Sequence, residues 1–442
     1  MVRDNRDARE PARAGVTPPD DVAVTPQRTF GLGLTAAGLL AVLALTLQPV
    51  DDRLAGPVAK GWCLICGDVG LADFFLNCAL FVPFGMGLRL AGVSWRWTIA
   101  ACAALTLSIE LAQMSLVTGR DASAGDLVAN TAGGIAGALL GTYWPRVLLP
   151  APRASRTLAW ISAACAAGIV ALSAIAMRPF VPAVPLWGQI APRLGQFDHF
   201  EGLVLGATVS GETMPSARFV DSGRARRALL ADGAFVEALV RPAGPPYEIA
   251  PIVSIFDGRG REILVLGQTG RALFFRLRRV SSEGRVSTPG FALADVFPAG
   301  TPTASATDSV RIRAAWSGNT IRLSASSASM RRGRDITVHP LLGWRLFYPF
   351  TYDIGRDLRV ASIAWLAALL LPVAYWSRRA GLGESHRLAW LPLLTATAII
   401  GATTATASAR LAALLVPAAA LGAIAAAACV RAAAGTLDAS RG

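Results

Sequence analysis

Apolar positions in this chain fall first in long unbroken runs, then in short alternating stretches, then in long runs again. A membrane-spanning helix needs about 20 consecutive apolar residues. Runs of that order lie at 30–49, 73–92, 97–117, 127–147, 157–177, 358–377, 388–408 and 411–430. They predict eight spanning helices, five before residue 178 and three after 357. Between them the pattern changes. Residues 235–241, 263–268, 272–278, 309–316 and 320–324 read as short alternating stretches, the two-residue period of a half-buried strand. Gly318-Asn319 between the last two stretches is a hairpin signal. The pattern therefore predicts a membrane α-helical protein with an inserted antiparallel β-sandwich.

The expected plan is a disordered tail at 1–29, a helical domain at 30–148 and a fifth spanning helix within 149–178. The β domain follows at 179–345, then an interfacial linker at 346–357 within a surface-lying stretch, 339–352. C-terminal spanning helices occupy 358–431 and a short tail 432–442. Trp95, Trp97, Trp144, Trp160, Trp376 and Trp390 sit near the ends of runs, where indole rings favour the membrane–water boundary.

Composition agrees. Of 442 residues 53% are hydrophobic and 16% charged, against about 25% charged in soluble domains. That excludes a disordered chain and argues against a purely soluble one. There are 42 basic and 29 acidic residues, and Lys60 is the only lysine. In a membrane protein such an excess marks cytoplasmic loops. With the N-terminus inside, the inner loops carry Arg89 and Arg96; Arg146, Arg153 and Arg156; and Arg378, Arg379 and Arg387. The short outer loops carry Arg53, Lys60, Arg120 and Arg410, more thinly spread. Both termini are then cytoplasmic and 179–357 is extracytoplasmic.

Six cysteines are too few for a disulfide scaffold. Cys63 and Cys66 form a Cys-x2-Cys in the first outer loop. Zinc would need two further ligands, and no His or Cys pair is near, which leaves a local disulfide or two free thiols. Cys78, Cys102, Cys165 and Cys429 lie in apolar runs and read as packing residues. His199, His339 and His386 are split across the predicted membrane, which excludes a three-histidine site. No Walker loop or Gly-x-Ser-x-Gly elbow is present. No cofactor and no metal are expected. Arg224, Arg226, Arg227, Arg276, Arg278, Arg279, Arg331, Arg332 and Arg334 read as a solvated strand face. Nucleic acid does not suit an extracytoplasmic domain.

The informative chemistry lies in 73–141. Asp73 and Asn77 are four apart, Glu110 and Gln113 three, Asp126 and Asn130 four, so each pair shares a helix face. Arg120, Asp121 and Ser123 fall in the loop between the second and third of these helices. In the predicted topology all these groups approach the outer leaflet. Ionisable groups in or beside membrane helices are costly and mark functional candidates. The same groups also suit hydrogen bonding between helices, and spacing leaves both readings open. Gly133, Gly137 and Gly141 recur every fourth residue, a packing face for a close neighbour.

The ordered set Asn77-x3-Phe81-x-Pro83-Phe84-Gly85, Glu110-x2-Gln113, Arg120-x5-Asp126-x3-Asn130-x2-Gly133 resembles the VanZ-like family of membrane proteins, over about residues 40–148. The resemblance implies a small helical membrane domain linked to the cell envelope and, through the family's namesake, to glycopeptide (teicoplanin) resistance. The stretch from Ile252 to Asp257, the strand ending Gly267-Gln268, and that from Leu273 to Arg278 are similar to concanavalin A-like and laminin-G-like jelly rolls. Such folds often bind carbohydrate and some bind calcium. Asp257, Glu262 and Asp295 are the acids available for calcium, but they read rather as solvated loop acids.

Three functions follow as expectations. The cluster Asp73, Asn77, Glu110, Gln113, Arg120, Asp121, Ser123, Asp126 and Asn130 binds the polar head of a lipid-linked glycan or a phospholipid. Alternatively it is a hydrolase or transferase site with Glu110 and Asp126 as candidate catalytic groups, or it only locks helices together. Expected partners are membrane lipids and an envelope glycan or lipid-linked precursor.

Overall fold

In the computed structural model the described residues are 26–47, 69–116, 123–148, 150–193, 197–298, 309–347 and 358–381. Among them are seven α-helices: α1 Pro26–Thr46, α2 Gly70–Leu90, α3 Trp95–Leu116, α4 Ala124–Leu148, α5 Pro152–Ala176, α6 Ser222–Leu230 and α7 Leu358–Gly381. α1, α2, α3, α5 and α7 are long and apolar enough to cross a membrane. α4 has the length, 25 residues, but carries Gly125, Gly133, Gly134, Gly137 and Gly141 where a lipid-facing helix carries large side chains. The expected helices at 388–408 and 411–430, with Trp390, His386 and Cys429, lie outside the described residues.

The glycines of α4 serve α2. A Cβ on Gly133 would strike the carbonyl of Cys78, one on Gly137 the carbonyl of Val82, and one on Gly85 of α2 the backbone of Gly134. Backbone thus meets backbone, which small residues alone allow. Phe81 is fully buried between Val42 of α1 and Ile109 of α3. Trp97 in the first turn of α3 and Trp160 in the third turn of α5 are 72% and 56% exposed, as lipid-facing rings would be. Trp376 differs. It is buried against Ala159, Ala163 and Val373, edge-on to Tyr375, so it packs α7 on α5 instead of marking the boundary.

Between α5 and α7 the described residues form eleven strands in two antiparallel sheets. β1 Leu186–Ile190, β5 Ile249–Asp257, β6 Glu262–Thr269, β7 Ala272–Leu277 and β8 Phe291–Leu293 form one, in the order β1-β5-β6-β7-β8. The other runs β11-β10-β9-β4-β2-β3, from β2 Leu203–Val209, β3 Glu212–Thr213, β4 Ala234–Arg241, β9 Val310–Ser317, β10 Thr320–Ser326 and β11 Arg331–Thr337. The alternation in β4, β9 and β10 turns Val236, Ala238, Ile312, Ala314, Ile321 and Leu323 into one shared core. Trp316 of the second sheet stacks on Phe275 of the first, ring centroids 5.4 Å apart. Gly318, at φ +53°, makes the turn between β9 and β10.

The β domain is built into the helices. Met177, which ends α5, lies in the sandwich core. The 3-10 segment Pro340–Phe347 puts Leu342 and Leu346 into that core and Leu341 among Ala166, Val170, Leu366 and Leu370 of α5 and α7. Of the stretch 339–352 expected at the membrane surface, residues 339–347 wedge between the domain and the helices. The carbonyl of Arg285 accepts the N–H groups of Leu71 and Ala72 at 3.0 and 3.4 Å. These are orphan donors of the first turn of α2, so the β domain caps that helix.

Most of the arginines expected on a solvated strand face are held elsewhere. Arg224, Arg226 and Arg227 lie on α6, which Asp221 caps by accepting the Arg224 N–H at 2.8 Å. Arg276 forms a bidentate pair with Glu262 and lies over the rings of Phe197 and Phe274. Arg278 is buried between Asp257 and Glu283. Arg279 is buried and donates to the Met177 carbonyl. Burial and the nearby Arg345 charge pull its guanidinium down to about 10. Arg334 donates to the Ala292 carbonyl, leaving Arg331 and Arg332 exposed on β11.

The acids change accordingly. Asp257 is buried, not a solvated loop acid. Burial opposes its charge, but the N–H groups of Arg261 and Arg259 and the Arg261 side chain outweigh that and hold its carboxyl below the usual range. Glu262 is committed to Arg276, and Asp295 lies 3.3 Å from Arg271. Among the described residues no group of three His, Cys, Asp or Glu is placed to hold a metal ion.

Candidate functional site

Ser123 precedes α4 as its N-cap. Its hydroxyl accepts the Gly125 N–H at 3.1 Å and its carbonyl the Leu127 N–H at 3.3 Å, the preferred role of serine at a helix start. Ser123 in turn donates its own N–H to the Glu110 carboxylate of α3 at 2.8 Å. Three residues on, Asp126 lies in the first turn of α4. Helix N-termini favour negative charge, and two carboxylates, Glu110 and Asp126, meet this one. Glu110 is 7% exposed and Asp126 half-buried.

The side-chain amide of Asn77 on α2 donates to Asp126 at 2.7 Å. One turn nearer the helix start, Asp73 is exposed. Deeper, Asn130 of α4 is buried and donates to the Thr106 hydroxyl of α3 at 2.8 Å, while its buried Oδ1 has no hydrogen-bond partner among the described residues. Gln113 is buried and donates to the carbonyl of Thr46 at 2.8 Å. That carbonyl belongs to the last turn of α1, where backbone acceptors lack helical partners.

The structure therefore joins Asn77, Glu110, Ser123 and Asp126 around the start of α4, where α2, α3 and α4 meet. It turns Gln113 away toward α1 and Asn130 inward toward α3. Arg120 and Asp121 lie outside the described residues, as do Cys63 and Cys66. Cys78, Cys102 and Cys165 are free. Two partners escaped the sequence reading. Thr106 stands four residues before Glu110, a spacing that could have flagged it. Thr46 acts through its backbone, which no side-chain pattern announces.

The site lies at the helix ends that carry the β domain. The first turn of α2 holds Asp73 and is bonded to Arg285, and Phe75 meets Phe347 edge-on at 6.3 Å. The opposite ends carry arginine: Arg89 in the last turn of α2, Arg146 in that of α4, and Arg378 and Arg379 in that of α7.

The apolar helices and the inserted sheets define a multi-pass membrane protein with a β domain. Residues 38–145, from mid-α1 into the last turn of α4, match the family model VanZ/LLP1. The chain is VanZ-like over that stretch. Comparison with curated proteins and with solved structures finds no match.

Proposed function

We propose that this protein binds the polar head of a lipid-linked glycan or a phospholipid at the outer leaflet, between the start of α4 and the overlying β domain. The observation that carries the reading is the pair Glu110–Ser123 and Asn77–Asp126. Two costly carboxylates are held with donors on one helix N-terminus, at the membrane end that carries the extra domain. In this reading Arg120 pairs with a head-group phosphate, whose oxygens a guanidinium matches in bidentate fashion. Glu110, Asp126, Asn77 and Asp121 orient Arg120 or bond sugar hydroxyls.

The wider proposal has eight spanning helices, both termini cytoplasmic and 179–357 outside. The arginines at the helix ends remote from the β domain support it, since basic residues stay on the cytoplasmic side. The β domain is proposed to be a concanavalin A-like or laminin-G-like jelly roll that engages glycan; its two antiparallel sheets around one core support this. VanZ-like character makes glycopeptide (teicoplanin-type) susceptibility the first phenotype to measure.

A helix-locking role is the second reading, favoured by Gln113 and Asn130, each bonded to a neighbouring helix. Arg120→Ala and Glu110→Gln separate the two. A binding role predicts loss of the susceptibility phenotype at unchanged membrane abundance and nearly unchanged melting temperature. Wild-type behaviour of both variants, in cells where deletion has a phenotype, would leave the locking role alone. Turnover of an undecaprenyl-linked substrate by the purified protein, abolished in Glu110→Gln, would convert the binding site into a hydrolase or transferase site.

A further inference from the structure

The outer face of the sheet β11-β10-β9-β4-β2-β3 is open to solvent, and arginine concentrates on it. Pairing sets the rows. Arg331, Ser326, Arg311 and Leu239 stand side by side across four strands, followed by Gly333, Ser324, Arg313 and Glu237, then by Asp335, Arg322, Ala315 and Phe235. Strands are about 4.8 Å apart and alternate residues about 7 Å. The backbones of Arg311 and Arg313 on β9 therefore stand about 7 Å apart, and that of Arg331 about 10 Å from that of Arg311. Serine and glycine between them keep the floor of the face low.

The charge is unbalanced. Asp335 takes Arg322 in a bidentate pair at 2.7 and 2.8 Å. Glu237 is shared by Arg311 at 2.6 Å and Arg313 at 3.5 Å, and Arg313 also lies over the Phe235 ring. Arg331 and Arg241, both exposed, have no ion pair among the described residues. Direction matters as well. β11 runs from Arg331 to Thr337 and on into Pro340–Phe347, wedged between α5 and α7. Asp335 therefore lies nearer the end of β11 that leads into this wedge, and Arg331 lies about 20 Å along the strand from Thr337, at the end remote from it. Arg241, opposite Leu203, ends β4 on the same distal side.

We propose that this face binds an anionic glycan polymer of the cell envelope, bearing a phosphodiester or carboxylate at regular intervals. Spread guanidiniums on a flat face suit a chain of repeated anions better than a single small one. Their distal position directs them away from bilayer head groups. The inference rests on the extracytoplasmic placement proposed above and names the partner of the β domain.

The test uses the full-length protein in nanodiscs of zwitterionic lipid. Binding of poly(glycerol phosphate) and polygalacturonate is measured against neutral dextran, over a range of salt concentrations. Wild type should bind the two polyanions, weakening as salt rises, and should ignore dextran. The double variant Arg241→Ser/Arg331→Ser should lose on the order of tenfold in affinity and show a shallower salt slope, since each neutralised anion contributes to that slope. Unchanged binding by the variant, or equal binding of dextran, overturns the proposal. So does binding to anionic vesicles with none to the soluble polymers, which would make the face a bilayer contact. Glu110→Gln should keep polymer binding intact. A wild-type susceptibility phenotype in that variant would count against the head-group site alone.

Discussion

Asn77 on α2 donates to Asp126 on α4 at 2.7 Å, a bond between residues 49 apart in sequence. It crosses the same helix pair that Gly85, Gly133 and Gly137 bring into backbone contact. Close approach by small residues and polar fastening therefore act on one interface, and the fastening lies at its β-domain end.

That bond should show as coupling in a double-mutant cycle. Asn77→Ala and Asp126→Ala, alone and together, are compared by thermal unfolding of the full protein in nanodiscs. The two changes should be non-additive by about 1–2 kcal/mol, the scale for directly bonded groups. Strict additivity would show that the two side chains act independently.

The glycine interface makes a sharper contrast. Gly133→Ala drives a methyl group into the Cys78 carbonyl. It should cost about 1–3 kcal/mol, the range for overpacking, and lower the yield of folded protein. Gly168→Ala on α5 meets nothing within 4 Å and should be neutral or stabilising by up to about 1 kcal/mol, the helix-propensity gain. Equal melting temperatures for the two variants would remove the close-packing account.

His339 links the β domain to the wedge between α5 and α7, and burial pushes its imidazole down to about 4. The folded protein keeps it neutral, while the unfolded chain takes up a proton below about 6.5. The contribution of His339 to stability is then constant above about pH 6.5, falls as pH drops toward about 4, and is constant again below. The full loss is on the order of 3 kcal/mol for one such group. Replacing His339 with methionine should flatten the decline in melting temperature between pH 7 and 4.5. A variant as acid-sensitive as wild type would assign the sensitivity elsewhere.

Long apolar runs placed α1, α2, α3, α5 and α7, because a spanning helix is a local matter of composition over about 20 residues. Alternation located β4, β9 and β10 for an equally local reason, one face being buried and the other wet. β5 hid from that rule because it is buried on both faces, so its residues do not alternate. α6 hid because its arginines dilute any apolar period over nine residues. In the candidate site the helix faces of Asn77, Glu110 and Asp126 were legible from spacings of three and four. Their partners were not. Whether Gln113 turns to a bound head group or to the last turn of α1, and whether Asp257 stays in solvent or is buried beneath Arg261 and Arg278, depends on which distant groups packing brings within about 3 Å. Local pattern sets which faces seek burial. Only the assembled helices and sheets decide which donor meets which acceptor, because a hydrogen bond requires a distance and an angle that no spacing along the chain specifies.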